Sequence, residues 1–379
     1  MTGHKLCTWL VGPEGEVIAE VQRKKDHRFE LDAFNSGLWH ELGIRGARGP
    51  RIAWKAQPSG DDFSKPQPTM DQWDSLLRPI STLLFPKRIV PEMVSRRIDT
   101  LIVVPILITV EQSPGSFPYP EDRSPRARNR FIFALSTLPF GALPIHGDKR
   151  LNDLVSVIVA PGFSIFAQGP IPVRHLGRES LIVGDPTTIF DPLPGARLEA
   201  TEIARTLGVQ ALIADRATKR KVLSVLQEHP ERISLIHLAT HGIADSKNPL
   251  DESFLAFADD HLTAREIGLL RLNDRPLLSG RTLVVMSACE TALGKDFSAG
   301  TIGLARAWQW AGAGQVAMTL WAVDDAATQK LMTEFIGFIV RGEAADKALQ
   351  KAMKQVRRDD PNPASWASFQ LFGSVESLR

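Results

Sequence analysis

His241 and Cys289 are the two residues that can do covalent chemistry as a pair, and they stand forty-eight positions apart (289 − 241). Each closes an apolar, β-branched run: Ile236-His237-Leu238-Ala239-Thr240-His241-Gly242 and Val284-Val285-Met286-Ser287-Ala288-Cys289-Glu290-Thr291-Ala292. An apolar run that ends in a reactive side chain among small residues is how a buried parallel strand delivers chemistry at its carboxyl end. A thiol near pKa 8.5 is mostly protonated at neutral pH, so a neighbouring imidazole is needed to accept its proton. His241 is the candidate base and Cys289 the candidate nucleophile. Adjacent strand ends lie about 5 Å apart, so the two side chains can meet above a sheet, where open α/β sheets bind ligands.

Neighbouring polar residues are less promising. His237 and His241 would lie about 13 Å apart on an extended strand, too far to share a metal ion, so no metal site is expected and His237 reads as a buried group behind the site. Ser287 lacks a Gly-x-Ser-x-Gly elbow and reads as packed inside. The glycines from Gly300 to Gly314 do not have phosphate-loop spacing and suit close helix packing instead. Cys7 is remote from any histidine pair, and no cofactor is called for.

A histidine about fifty residues before a small-residue-flanked cysteine is the caspase arrangement, met here on a different local sequence. His-Leu-Ala-Thr-His-Gly, Ser-Ala-Cys-Glu-Thr-Ala, the segment Gly300 to Ala317, and Leu320-Trp321-Ala322-Val323-Asp324-Asp325-Ala326-Ala327-Thr328 occur in that order. Together they closely resemble the CHAT family, a caspase-like and separase-like branch of the cysteine proteases. Leu101-Ile102-Val103-Val104-Pro105 and Leu135-Ser136-Thr137-Leu138-Pro139-Phe140-Gly141-Ala142-Leu143-Pro144 resemble that family's amino-terminal half.

The resemblance implies a dyad with no third orienting side chain, and it implies the backbone NH groups of Gly242 and Cys289 as oxyanion donors. It also implies that Asp324 and Asp325 line the first specificity pocket, where an acid favours a basic substrate side chain. A helix amino-terminal cap explains the same two aspartates equally well. Arg174, Arg178 or Arg306 would instead build a pocket for an acidic side chain. The resemblance further implies a cysteine endopeptidase with specific protein substrates, working in a prokaryotic defence or cell-death pathway. Relatives are often joined to tetratricopeptide repeats or controlled by another protein. No such repeats occur in this sequence, so control by a regulatory partner or by homo-oligomerisation is expected. The alternatives are a non-enzymatic interaction scaffold, and an acyltransferase or ligase on the same dyad.

The elements that must position this pair follow from pattern. A length of 379 residues suits two to three compact units. The expected division is an amino-terminal, degenerate caspase-like half over 1–175 and a catalytic half over 176–379. Cys7 to Val11 and Glu16 to Val21 read as a hairpin, and Trp73, Leu76, Leu77 and Ile80 line a helix. Residues 44–70 read as a long connection. Strands are expected from Leu101 and at Arg130 to Leu135, and the proline- and arginine-rich stretch between them reads as a solvated loop or a basic docking arm.

From Ser180 onward strands and helices alternate, which demands a mostly parallel sheet flanked by helices, an α/β caspase-like sandwich. Strands are expected at Ser180 to Val183, Ala211 to Ala214, Ile233 to Ala239, Thr282 to Ala288 and Val316 to Ala322, with a small hairpin at Phe254 to Leu262. Helices are expected at Leu198 to Leu207 and Lys219 to Glu228, then on the Leu304-Ala307-Trp308-Ala311 and Leu331-Phe335-Phe338-Ile339 faces, the latter stopped by Gly342, and at Ala344 to Arg357. Net charge is +2, which makes no case for direct nucleic-acid binding. Two cysteines cannot build a disulfide framework, and no apolar stretch approaches the roughly 20 residues of a membrane span. These features point to a protein of the reducing cytoplasm, off the membrane.

Overall fold

The computed structural model describes residues 7–11, 17–22, 68–85, 89–104, 138–160, 162, 170–172, 174–243, 245, 248–287, 295–297, 300–321 and 325–376. Cys289 and Asp324 lie outside the described residues, as do the expected strand at Arg130 to Leu135, the proline- and arginine-rich stretch and most of the 44–70 connection.

An eight-stranded sheet organises the molecule. Its strands are β3 (Thr100–Val103), β4 (Ser156–Val159), β5 (Ser180–Gly184), β6 (Leu212–Ile213), β7 (Leu235–Ala239), β11 (Leu283–Ser287), β12 (Gln315–Thr319) and β13 (Phe369–Gly373). They lie in the order β3-β4-β13-β12-β11-β7-β5-β6. Every neighbouring pair is parallel except β12 with β13. The mostly parallel sheet and its helices are therefore as expected. Residues of β7, β11 and β12 are all buried, which explains why these strands read as continuous apolar runs with no polar face.

Helices α3 (Pro194–Leu207), α4 (Lys219–Glu228) and α6 (Asp325–Val340) follow their strands, and α7 (Ala345–Asp359) follows α6, as the periodicity predicts. Helix α5 (Leu304–Trp310) buries Leu304, Ala307 and Trp308, and Gly342 ends α6 region with φ +92°, a left-handed conformation glycine adopts without strain. The hairpin of β1 (Cys7–Val11) and β2 (Val17–Gln22) is present and antiparallel. Helix α1 (Met70–Leu84) begins with a reciprocal Thr69–Gln72 capping box and buries Trp73, Leu77 and Ile80. Trp73 packs on Trp321, with centroids 5.7 Å apart, and donates from Nε1 to Asn362 Oδ1 at 2.9 Å. Helix α1 is thereby fastened to the carboxyl-terminal part of the chain.

Two features depart from the sequence expectation. The strand expected at Ala211 to Ala214 shortens to two residues, because Ala214 takes φ +52° and opens a 3₁₀ turn. Strand β13 was not expected at all. It inserts antiparallel to β12 and parallel to β4, joining the strands of the first 160 residues to those of the remainder in one continuous sheet.

Candidate functional site

Strands β7 and β11 are hydrogen-bonded neighbours, with Leu235 opposite Leu283 and Ala239 opposite Ser287. His241 follows Ala239 by two residues, and Cys289 follows Ser287 by two. His241 therefore follows the carboxyl end of β7, on the rung where Ser287 ends β11. The forty-eight-residue spacing is thus the offset of the strand pairing itself.

The backbone around His241 is pinned to a second, small sheet of β8 (Gly242–Ile243), β9 (Phe254–Ala256) and β10 (His261–Thr263). The Thr240 hydroxyl donates to the Ala256 carbonyl at 2.6 Å, and the Ala256 NH donates to the His241 carbonyl at 2.9 Å. Since Gly242 pairs with Leu255, that second bond makes His241–Ala256 the hydrogen-bonded pair and Gly242–Leu255 the non-bonded one. The Gly242 NH consequently faces away from β9.

The imidazole has a fixed orientation. His241 Nε2 lies 2.7 Å from the Asp191 carbonyl oxygen. A carbonyl only accepts, so Nε2 carries the hydrogen and the Nδ1 lone pair is left as the basic site. The Phe190 ring packs beside the imidazole, centroids 5.0 Å apart at 36°. The group that orients the ring is a backbone carbonyl, which no side-chain pattern could have announced.

The loop that presents Asp191 is held by Asp185. Its NH donates to the Ala239 carbonyl at 2.9 Å, so the loop starts from the last rung of β7. Its buried carboxylate accepts from the Leu193 NH at 2.8 Å and from Arg197 Nε at 2.9 Å, closing the loop onto the start of α3. Asp185 adopts φ +44°, the left-handed region that aspartate enters more readily than most residues. The sequence showed this position as a Gly-Asp-Pro strand end but not its work.

Asp325, one of the two pocket candidates, accepts from the NH groups of Gly195 at 2.5 Å and Ala196 at 3.0 Å. It caps α3, a helix 130 residues away, from the first turn of α6. A Cβ added at Gly195 would sit 2.6 Å from Asp325 Cγ, so glycine is what lets the two helix starts meet. Arg174 does not serve a substrate pocket. It is buried at the opposite end of the strands, donating to Glu376 at 2.6 Å, to Gln315 at the first residue of β12 and to the Arg281 carbonyl. Arg306 lies against Trp310 and Gln309 on α5, and Arg178 is exposed.

His237 and Ser287 are buried, as expected, and both reach one acid. His237 Nε2 is 2.6 Å from Glu199 Oε1, and the Ser287 hydroxyl donates to Glu199 Oε2 at 3.2 Å. Glu199 is wholly buried on α3. Burial pushes its carboxyl above the ordinary range, with the hydrogen bonds from His237 and Ser287 pulling the other way. A signal for it existed in the sequence: Glu199 falls on the stripe of Ala196, Ala200, Ile203 and Leu207, an acid where the helix face should be apolar. Among the described residues no group of three or more histidine, cysteine or acidic side chains is placed to hold a metal, and no helix is long and apolar enough to cross a membrane.

The mouse and human tetratricopeptide repeat protein 28 are 29% and 28% identical to this chain over 222 residues, which is 50% of the chain and 9% of each relative's length. Among solved structures, separase in the Saccharomyces cerevisiae separase–securin complex is similar with a TM-score of 0.44 at 16% identity, over 65% of this chain and 15% of that one. The Arg-specific cysteine proteinase gingipain R of Porphyromonas gingivalis gives a TM-score of 0.45 at 11% identity, over 93% and 76%. The profile described as the CHAT domain matches residues 132–374, well over half the chain and inclusive of both reactive residues. The chain belongs to the CHAT-domain family, a caspase-like and separase-like family.

Proposed function

We propose that this protein is a cysteine endopeptidase in which His241 and Cys289 act as a dyad on specific protein substrates. One observation carries the reading: His241 is held through Nε2 by the Asp191 carbonyl, with Nδ1 as its base, beside the end of β11, the strand that precedes Cys289 in the sequence. In the first step Nδ1 takes the Cys289 Sγ proton, and the thiolate attacks the scissile carbonyl carbon. The Gly242 and Cys289 NH groups receive the developing oxyanion, a contribution of about 3 kcal/mol per donor in comparable sites. The imidazolium then gives its proton to the leaving amine. A water molecule, deprotonated by His241, hydrolyses the thioester and restores the thiol.

Of the two pocket candidates, Asp324 is the one we assign to a basic substrate side chain, because the Asp325 carboxylate already serves α3. The two relatives are named for tetratricopeptide repeats and are far longer than this chain. From the family resemblance, we place the protease in the cytoplasm, under control of a partner protein or self-assembly, in a prokaryotic defence or cell-death pathway. The 1–175 segment is assigned as the degenerate half and 176–379 as the catalytic half.

The test is cleavage of a proteome-derived peptide library by the wild type, Cys289→Ala and His241→Ala, with new amino termini identified by mass spectrometry. Cuts that vanish in both variants support the dyad, and basic residues at the cut support Asp324. Absence of cuts with or without candidate partners, together with an unreactive Cys289, would instead make the chain a non-enzymatic scaffold.

A further inference from the structure

We propose that Glu199 is a positioning residue for the dyad: a single buried carboxylate that locks the histidine strand to the strand that leads to the cysteine. The proposal rests on reading His241 and Cys289 as a dyad. Its basis is geometric. Glu199 Oε1 takes His237 of β7, four residues before His241, and Oε2 takes Ser287 of β11, two residues before Cys289. Ladder hydrogen bonds already pair these strands, but they do not fix where the two strands sit relative to the helix that covers them. The carboxylate does.

The same helix governs the other two parts of the site. The loop entering α3 supplies the Asp191 carbonyl that orients His241, and the first turn of α3 receives the Asp325 carboxylate from the segment that follows β12. Helix α3 thus touches both strands of the pair and Asp325, and the loop that enters it touches the base. Glu199 is the polar contact that couples it to both catalytic strands at once. Any shift of α3 along its axis would move Asp191 against His241 unless this contact gives way.

A stability role does not account for the arrangement. All three partners are buried, with Glu199 and His237 at 0% exposure and Ser287 at 7%. Desolvating a carboxylate and an imidazole is costly, and apolar side chains of similar volume commonly serve a core as well or better. His237 Nδ1 is buried and has no hydrogen-bond partner among the described residues, so that ring is committed to Glu199 alone. A polar cluster with an unsatisfied atom, joining the two strands that lead to His241 and Cys289, has a use in orientation that packing does not supply.

The experiment uses the full chain and follows iodoacetamide alkylation of Cys289, resolved from Cys7 by peptide mass spectrometry, across pH 5 to 10. Wild type, His241→Ala, Glu199→Ala and Glu199→Gln are compared, with a thermal melt of each. The expected result is a folded Glu199→Ala whose Cys289 reacts at least about tenfold more slowly at pH 7, its pH midpoint moved up toward an ordinary thiol near 8.5. Glu199→Gln, which keeps the shape and two hydrogen-bonding atoms, recovers most of the rate. A Glu199→Ala variant with a lowered melting temperature but wild-type rate and midpoint overturns the proposal, because the group is then structural only. Should Glu199→Ala fail to fold, Ser287→Ala, which removes one arm, decides: a slowed Cys289 supports the clamp and a wild-type rate overturns it. Wild-type Cys289 reacting no faster than in His241→Ala overturns the dyad reading itself, and the clamp with it.

Discussion

At the scale of single residues, the site depends on groups that hold His241 from behind. Asp185 is the clearest case, since its one carboxylate closes the loop whose Asp191 carbonyl receives the Nε2 hydrogen. Removing it leaves the Leu193 NH without its acceptor, and the expected loss of stability for Asp185→Ala is about 2 kcal/mol. Asp185→Asn retains the Leu193 contact and loses only charge toward Arg197, whose side chain is half exposed, so less than about 1 kcal/mol is expected. Urea unfolding of the two variants measures the difference. In the dyad reading, Asp185→Ala also lowers kcat by more than tenfold with little change in KM, because the base is misoriented while the pocket is untouched. His241, Gly242 and Cys289 were legible as residues because small flanks and a strand end mark them. Asp191 was not, since its side chain plays no part in the contact.

At the scale of elements, helix starts are fixed by acids reaching across the chain. Asp325 caps α3 from α6, and at α4 the Lys219 ammonium bridges Asp260 at 2.9 Å and Glu266 at 2.8 Å, fastening that helix to the β9–β10 hairpin and the short helix after it. The Lys219 hydrogen bond holds the Asp260 carboxyl below its usual range. Burial opposes the same shift at Glu266, but hydrogen bonds from Lys219 and Thr263 outweigh it. Burial also opposes the rise at Lys219, which the two carboxylates more than offset.

The sign follows from linkage. Carboxyls with depressed folded-state pKa values stabilise above their unfolded values, near pH 4, and that contribution disappears as pH falls through the folded values. The raised lysine contributes fully below about pH 10. Wild type should therefore exceed Lys219→Met by about 1 kcal/mol at pH 7, the figure being small because both acids are largely exposed. The gap should narrow between about pH 7 and pH 3, as the pH falls below the unfolded carboxyl values toward the depressed folded ones. Paired denaturant titrations at the two pH values check it, and a gap unchanged at pH 3 would show that packing of the lysine stem, not charge, is responsible. The bounds of α4 were readable from its apolar period, whereas Asp260 and Glu266, 41 and 47 residues beyond Lys219, were not visible as its partners.

At the scale of the whole molecule, the sheet is one object built from two runs of chain. Strands β3 and β4 join through β13, and the segment before β5 is fastened to the chain end by Arg174 and Glu376, both buried, with Gln315 bridging on to the Ser374 carbonyl. Truncating one partner of a buried pair leaves the other charge uncompensated, so Arg174→Met should cost about 3 to 5 kcal/mol. Arg174→Met with Glu376→Leu should recover much of that loss, because no lone charge remains. The double-mutant cycle in thermal unfolding measures it. A sequence reading that offered Arg174 to an acidic substrate saw the right residue type without the partner 202 residues away.

Strands β7 and β11, which run toward His241 and Cys289 in the sequence, and the mostly parallel α/β class were legible from the chain alone. These depend on side-chain period and apolar runs, which are local properties of the chain. Tertiary structure decided the rest: the Asp191 carbonyl at His241, fifty residues distant; Glu199 joining His237 and Ser287, 38 and 88 residues distant; and β13 taking its place between β12 and β4. In each case the deciding quantity is the approach in space of segments that share no sequence neighbourhood. A backbone carbonyl or a buried acid acquires its role only when that approach brings a partner within hydrogen-bond distance.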